Sequence, residues 1–416
     1  MSDTASGPCP APEGYRPEAV DFVANPHDVL RAMREEARVH VHQSPLGPRY
    51  VLTHYDDVNA FFRRADVFRD TRKLPEDDIR RRGFLPQDED DRYGQPSILT
   101  LDPPEHDRLR GLVSQAFTPK AIEAMNPRIA EIADELLDAV AGEEIIDFMD
   151  ALAVPLPVIV IAEMIGVDPG DRAQFKAWAH ALIEGGLTGR YEIELLQRAR
   201  EAGRQLRAYF ERTIDERRKN PKDDLMSALI AVEQEGERMT REEMITMLQL
   251  LLNAGNLTTT DLLGNGLLAL LSHPGEYQRL RDDPSLMASA VEEMLRFTPP
   301  VTGTGRMTVD ATEVAGCPVP RHATVTGSIL AANRDPDVFE DPERFDITRK
   351  RNHHLSFGGG IHFCLGASLA RNEARIALER LFARYNHIEL AIDPAQVPWR
   401  GGGAFRGLAS LPIRVR

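Results

Sequence analysis

The chain is short of cysteine, of positive charge and of uninterrupted apolar runs, and each shortage removes a class of protein. Only three of its 416 residues are cysteines, Cys9, Cys317 and Cys364. They lie far apart, with neither a disulfide framework nor paired zinc spacing, so the expected setting is a reducing cytoplasm. Fifty Lys and Arg stand against 65 Asp and Glu, a formal net charge of −15. A surface that reads phosphates would carry the opposite excess, so nucleic acid is not an expected partner. Residues 1–10 contain no basic region and no apolar stretch, and no targeting or membrane-anchoring segment is expected there. The most apolar stretch, 248–271, has about the length of a membrane span. Gln249, Asn253, Asn256, three threonines, Asp261 and Asn265 interrupt it, so it reads as a buried central helix. Internal repeats, an interdomain linker, a dinucleotide fingerprint and enough cysteines for an iron–sulfur cluster are also missing.

Residues 1–20 read as a polar tail and 21–416 as a single domain, 42% of the whole sequence being hydrophobic and ample for an extensive core. The β-prone stretch at 49–53 predicts a strand at a sheet edge. From 73 to 96 the chain is dense in charge, with Arg80, Arg81 and Arg82 and then Asp88, Glu89, Asp90 and Asp91, and without helical periodicity. This predicts a long surface loop. From 104 to 296 the pattern is helical with proline and glycine breaks, among them a helix connection at Gly185-Gly186-Leu187-Thr188-Gly189. Short β segments follow, including 324–326, and then a glycine-rich turn and a final long helix. The fold class is mainly α with a smaller β region, α+β.

That glycine-rich turn, residues 357–366, reads Phe-Gly-Gly-Gly-Ile-His-Phe-Cys-Leu-Gly and leads into a helix-forming run. Glycines let a backbone take positive φ and approach a flat partner closely, and a following helix aims N–H groups at the sulfur. These surroundings predict a thiol with a lowered pKa, ready to bind a metal. The pattern Phe357, Gly360, His362, Cys364, Gly366 resembles the haem-binding loop of the cytochrome P450 family. The resemblance implies haem b held between a central distal helix and the helix after the cysteine loop. Cys364 is then the axial iron ligand, Phe357 packs near the sulfur and His362 reaches a haem propionate.

Three other stretches carry the same resemblance in the same order, from about residue 21 to the end. His106 and Arg110, four apart at the start of a helix, match a propionate-binding pair, and Arg306 matches another propionate donor. Glu293 and Arg296 match a Glu-x-x-Arg pair that, with Arg344 from the later Pro342-Glu343-Arg344-Phe345, implies a structural network bracing the cysteine loop. Ala254-Gly255 matches the part of the distal helix that runs close to the iron, and Thr258 the hydroxyl that helps to deliver protons. An acid usually precedes that threonine, and this chain has Leu257. Three readings of the gap stay open. In the first, ordered water serves Thr258, helped by Asn253, Asn256 or Thr259; in the second, Asp261 partly replaces the acid, against its being a helix-surface charge or pairing partner; in the third, protons are handled differently, with peroxide or a polar group of the substrate.

The resemblance further implies a monooxygenase that uses O2 and two electrons from NAD(P)H, relayed by a ferredoxin or flavodoxin and its reductase, to hydroxylate, epoxidise or O-dealkylate a small to medium hydrophobic organic substrate. A peroxide-using or non-oxygenating haem-thiolate enzyme is the alternative. Arg349, Lys350, Arg351 and Arg371 are candidates for a basic patch facing an acidic carrier. Leu250, Asn253, Ala254, Leu257, Val301, Thr302 and Thr304 are the expected substrate pocket, together with the 73–98 loop, the Gly185 lid and residues 401–405. The loop's arginines leave room for a carboxylate-bearing substrate. Replacing Cys364 with His is predicted to abolish the red-shifted Soret band of the reduced carbon-monoxide complex; persistence of that band removes Cys364 as the ligand.

Overall fold

The computed structural model describes residues 9–82, 96–186, 193–232 and 238–416. The acidic run 88–91 and the 187–189 part of the expected lid lie outside them. The organising element is a single helix, Arg241–Leu271, about 46 Å long at 1.5 Å per residue. Its start is fixed by a capping box. The Thr240 hydroxyl accepts from Glu243 N and the Glu243 carboxylate accepts from Thr240 N. Beyond the first turn it is buried almost all round, as a helix without a polar face must be. Gly264 and Gly266 let Met149 and Met294 press against its backbone, where an added Cβ would sit 2.5 and 2.7 Å from their sulfurs. Among the described residues no helix is long and apolar enough to cross a membrane.

Helices Pro155–Ile165, Ile193–Lys219, Met287–Phe297 and Ala367–Arg384 pack around it. The largest sheet among the described residues has five strands ordered Val39–Ser44, Gly47–Leu52, Thr324–Ser328, Gly303–Thr308, Val67–Phe68, and three smaller sheets accompany it. The strand expected at an edge, Gly47–Leu52, is internal. It pairs antiparallel with Val39–Ser44 and parallel with Thr324–Ser328. Its residues Tyr50, Val51 and Leu52 are all buried, which an edge strand would not require.

Two further expectations give way at the surface. Cys9 and Cys317 form a disulfide across a sequence separation of 308, with Cα atoms 6.1 Å apart. Spacing in the sequence carries no sign of it, because the pairing depends on the N-terminal segment returning to the Cys317–Val319 strand. From Cys9 onward, then, the expected tail is attached to the body. The arginines at 80–82 fall in a short helix, Ile79–Arg82. Arg80 is committed to Asp78 and to the His322 carbonyl, and Arg81 to the Leu74 carbonyl, so neither is free for a substrate carboxylate.

Glu293 and Arg296 are fully buried and bonded bidentately, with both N–O distances 2.8 Å. The remaining donors of Arg296 go to the carbonyls of Asn333, Pro342 and Arg344. Glu293 also accepts from the Asp346 N–H, from Asn352 and from Arg349. The third member of the network is therefore Arg349. Arg344 contributes its carbonyl, while its half-exposed side chain reaches only toward Asp346. Arg296→Ala should strand a buried carboxylate and lower stability by about 3–5 kcal/mol in urea melts. A loss below about 1 kcal/mol would show the pair to be dispensable.

Candidate active site

The cysteine loop is shaped by what presses on it. Gly358 and Gly360 have φ of 71° and 68°, and a Cβ on Gly360 would stand 2.3 Å from the Phe62 carbonyl oxygen. Only glycine fits that approach. The loop closes where Cys364 N donates to the Phe357 carbonyl at 3.0 Å. Arg371 lies over the Phe357 ring, 4.4 Å from its centroid, and is itself bonded to Glu292 at 2.6 and 2.9 Å. Burial opposes ionisation of Glu292, but bonds from His354 and Arg371 hold its carboxyl down at about 2. Arg349 is thus an internal strut, which takes it out of the expected docking patch, while Arg371, paired with Glu292, stays partly exposed.

Burial pushes the Cys364 thiol up, against the Gly366 N–H and the charges of Arg110 and Arg371. The expected lowering is reversed because desolvation outweighs the helix terminus. A metal ion would restore the thiolate, since a coordinating thiol is deprotonated outright.

A cavity of about 1380 Å³, part of it continuous with solvent, separates the loop from the central helix. Cys364, Gly366, Phe357, His362, Arg110, Arg306, Ala254, Gly255, Thr258, Leu250, Val301 and Thr304 all line it. A Cβ on Gly366 would meet nothing within 4 Å, so the loop leaves an open cradle beside the sulfur. To one side the walls are cationic. Arg69 donates to the Thr304 hydroxyl at 3.1 Å, and burial lowers both Arg69 and Arg306 to about 10. The His106 and His362 rings are 4.6 Å apart. Burial, then Arg69, His106 and Arg306, drive the His362 imidazole down to about 3. Arg306 Nη1, His106 Nε2 and His362 Nδ1 are buried without a hydrogen-bond partner among the described residues. Buried donors left this way are costly unless an acceptor arrives. A flat cofactor with carboxylates at one edge and a metal over Cys364 satisfies the cradle, the sulfur and the donors together, so the residues present fit haem.

The family model for cytochrome P450 matches residues 190–396. The polyketide biosynthesis cytochrome P450 PksS of Bacillus subtilis is 40% identical over 96% of this chain and 98% of its own. The solved PksS structure superposes with a TM-score of 0.88, covering 96% and 99% of the two chains. The vitamin D(3) 25-hydroxylase of Pseudonocardia autotrophica is 39% identical over 95% of this chain and 94% of its own. The structure of the myxobacterial cytochrome P450 CYP267B1 in complex with myristic acid is 41% identical, with a TM-score of 0.87 over 95% and 98% of the chains. The chain belongs to the cytochrome P450 family. It is an oxidoreductase of the monooxygenase kind with the P450 fold.

On the distal side of this P450 the sequence-named residues divide. Thr258 faces the cavity and its hydroxyl donates to the Ala254 carbonyl at 2.7 Å. Asn253, Asn256, Leu257 and Thr302 are not among the lining residues. Asn256 and Leu257 are buried against the protein, with Asn256 accepting weakly from Thr260 at 3.4 Å. Thr302 donates to the Gly403 carbonyl at 2.8 Å, and residues 401–405 likewise stay outside this cavity. Asp261 is wholly buried and bonded to Arg400 at 2.6 Å, on the side where an added Cβ at Gly407 would collide with it. Burial raises its carboxyl to about 7, against Arg400 and Arg406. Asp261 is an internal pairing partner, so it neither replaces the missing acid nor lies on the surface.

Glu373 was not among the sequence candidates. Among the described residues it is the only carboxylate lining the cavity and its buried Oε2 is unpartnered, and burial alone raises it to about 8. Gly366, Leu369, Ala370 and Glu373 line the cavity together at helical spacing, and that stripe ending in an acid was its signal. Arg69, just before the charge-dense loop, gave none. Arg306→Ala removes one charge-assisted donor and should speed transfer of haem to an acceptor apoprotein roughly tenfold, with the carbon-monoxide band unmoved. Unchanged transfer would mean that Arg306 does not hold the cofactor.

Proposed function

We propose that this P450 hydroxylates a small to medium hydrophobic organic molecule held against the central helix, and that 21–416 is one catalytic unit for it in the cytoplasm. The observation that carries the reading is the shared cavity. Leu250, Leu251, Phe117, Ile161 and Val301 give it apolar walls, and Thr258 and Cys364 open into it. The relatives' names fit such a ligand: one is a hydroxylase of vitamin D(3), another was solved with myristic acid. Haem with a thiolate ligand, when bound, supplies oxygen activation with two electrons from an external carrier, one oxygen atom entering the substrate and the other leaving as water. A ferredoxin or flavodoxin with an NAD(P)H-dependent reductase is the carrier in this reading.

The chain's own residues orient the substrate, exclude water and manage protons. Small side chains at Ala254 and Gly255 leave room beside the helix, and a Cβ on Gly255 would meet Ile161 only at 4.0 Å. Thr258 Oγ1 sits where it can exchange its bond to the Ala254 carbonyl for one to water. Leu257 carries no proton and Asp261 is held by Arg400, so in this reading water brought to Thr258 supplies the protons. The peroxide-using alternative is favoured by one observation, the lack of an acid beside Thr258.

Thr258→Ala is predicted to separate electron consumption from product formation in turnover with a surrogate ferredoxin system, after a ligand screen by Soret shift has found a substrate. Wild-type coupling in that variant would remove Thr258 from proton delivery. More product with peroxide than with the electron carrier would favour the alternative. Glu373 also has a signature outside turnover. Its folded pKa of about 8 lies above the ordinary 4.5. The stability it confers is thus fully present below about 4.5 and lost as pH rises through about 8. Urea melts of the apoprotein should show wild type losing stability relative to Glu373→Gln across that window, and parallel curves would mean that Glu373 is ionised.

A further inference from the structure

A second cavity, of about 810 Å³ partly open to solvent, lies on the far side of the strand Gly303–Thr308 from the active site. Strand alternation makes the division. Thr304 and Arg306 face the haem cavity, while Gly303 and Gly305 line the other and put no side chain into it. The N-terminal segment closes the opposite side with Tyr15, Phe22, Val23 and Leu30, and Leu330 adds to the apolar wall.

Its charge is unbalanced. Arg49 and Arg406 line the cavity, and among the described residues no carboxylate does. Arg406 is spent on the Val23 and Ala24 carbonyls and the Thr298 hydroxyl. Arg49 has no hydrogen bond or ion pair among the described residues, and its Nε is buried without a partner. The hydroxyls of Thr324, Thr326 and Ser328 add polar edge on the same side. A guanidinium without a protein acceptor, set beside an apolar wall, is matched by one carboxylate on an apolar body.

We propose that this cavity is a second ligand site, distinct from the haem cavity, that takes a monocarboxylate with an apolar chain, its carboxylate on Arg49 and its chain against Phe22, Leu30 and Leu330. Arg49 is fitted to this because its neighbour on the same strand face, Val51, belongs to the apolar cluster of Phe22, Leu30 and Leu330. The ligand's two ends therefore meet charge and hydrocarbon within one strand's length.

The test is calorimetric titration of the holoenzyme with decanoate while the haem cavity is filled by saturating 4-phenylimidazole. One decanoate per protein should still bind. Arg49→Gln should weaken it at least tenfold, Arg49→Lys should retain most of the affinity, and decanol should bind weakly and equally to wild type and Arg49→Gln. Thr326→Phe, which fills the cavity and leaves the charge in place, should also abolish binding. Loss of decanoate binding once 4-phenylimidazole is present would make the cavity a mere extension of the active site and overturn the proposal. Equal decanoate affinity in wild type and Arg49→Gln would overturn it as well.

Discussion

The buried pair Glu293–Arg296 is the constraint on which the catalytic geometry depends. Two charges taken out of water are costly, and their mutual attraction offsets that cost only when every remaining donor and acceptor is met. Here the partners come from far along the chain: the carbonyls of Asn333, Pro342 and Arg344, the Asp346 N–H, and the side chains of Arg349 and Asn352. Satisfying one ion pair therefore fixes the path of the backbone from 333 to 352. The same helix goes on to fix the cysteine loop. Ser356 donates to the Leu295 carbonyl and accepts from Asn333, and Glu292 orients Arg371 over Phe357. Cys364 is held in place by electrostatic necessity several residues away from it.

The proximal side was legible in the sequence for this reason. A glycine that only glycine can replace, a cysteine at the mouth of a helix and a Glu-x-x-Arg pair are local patterns whose physical demands are visible in the residues themselves. What stayed illegible depends on which distant segment arrives as partner. Arg344 and Arg349 are both arginines in the same polar stretch, and only the fold decides which turns its guanidinium inward. The disulfide between Cys9 and Cys317, the internal strand at Gly47–Leu52 and the inward turn of Arg69 belong to the same class. Each is settled by long-range topology, which leaves no mark in residue spacing.

The distal helix shows the opposite failure, where position along a helix was readable but direction was not. Asn256, Leu257, Thr258 and Asp261 fall within two turns, and at about 100° per residue they cannot share one face. The cavity selects Ala254, Gly255, Thr258, Thr259 and Leu262. That leaves Asn256 and Leu257 buried against the protein and sends Asp261 to Arg400 beneath the hairpin of Trp399–Gly402 and Phe405–Leu408. A polar residue in a catalytic helix is thus no more a catalytic candidate than its angle permits.

The same angular argument accounts for the acid in the cavity wall. The helix Ala367–Arg384 begins at the cysteine loop, and its stripe through Leu369 and Ala370 ends at Glu373 in the cavity wall. No cation pairs with this carboxyl, so burial alone sets its state, and a neutral acid costs far less in that position than an ionised one. Asp261 is the contrast: burial raises it too, to about 7, but there Arg400 opposes the rise. On the helix after the cysteine loop, Glu373 stands across the cavity from Thr258, in a wall that stays uncharged while the carboxyl is neutral. The cavity thus holds one acid without admitting a fixed negative charge, on the wall opposite the Thr258 hydroxyl.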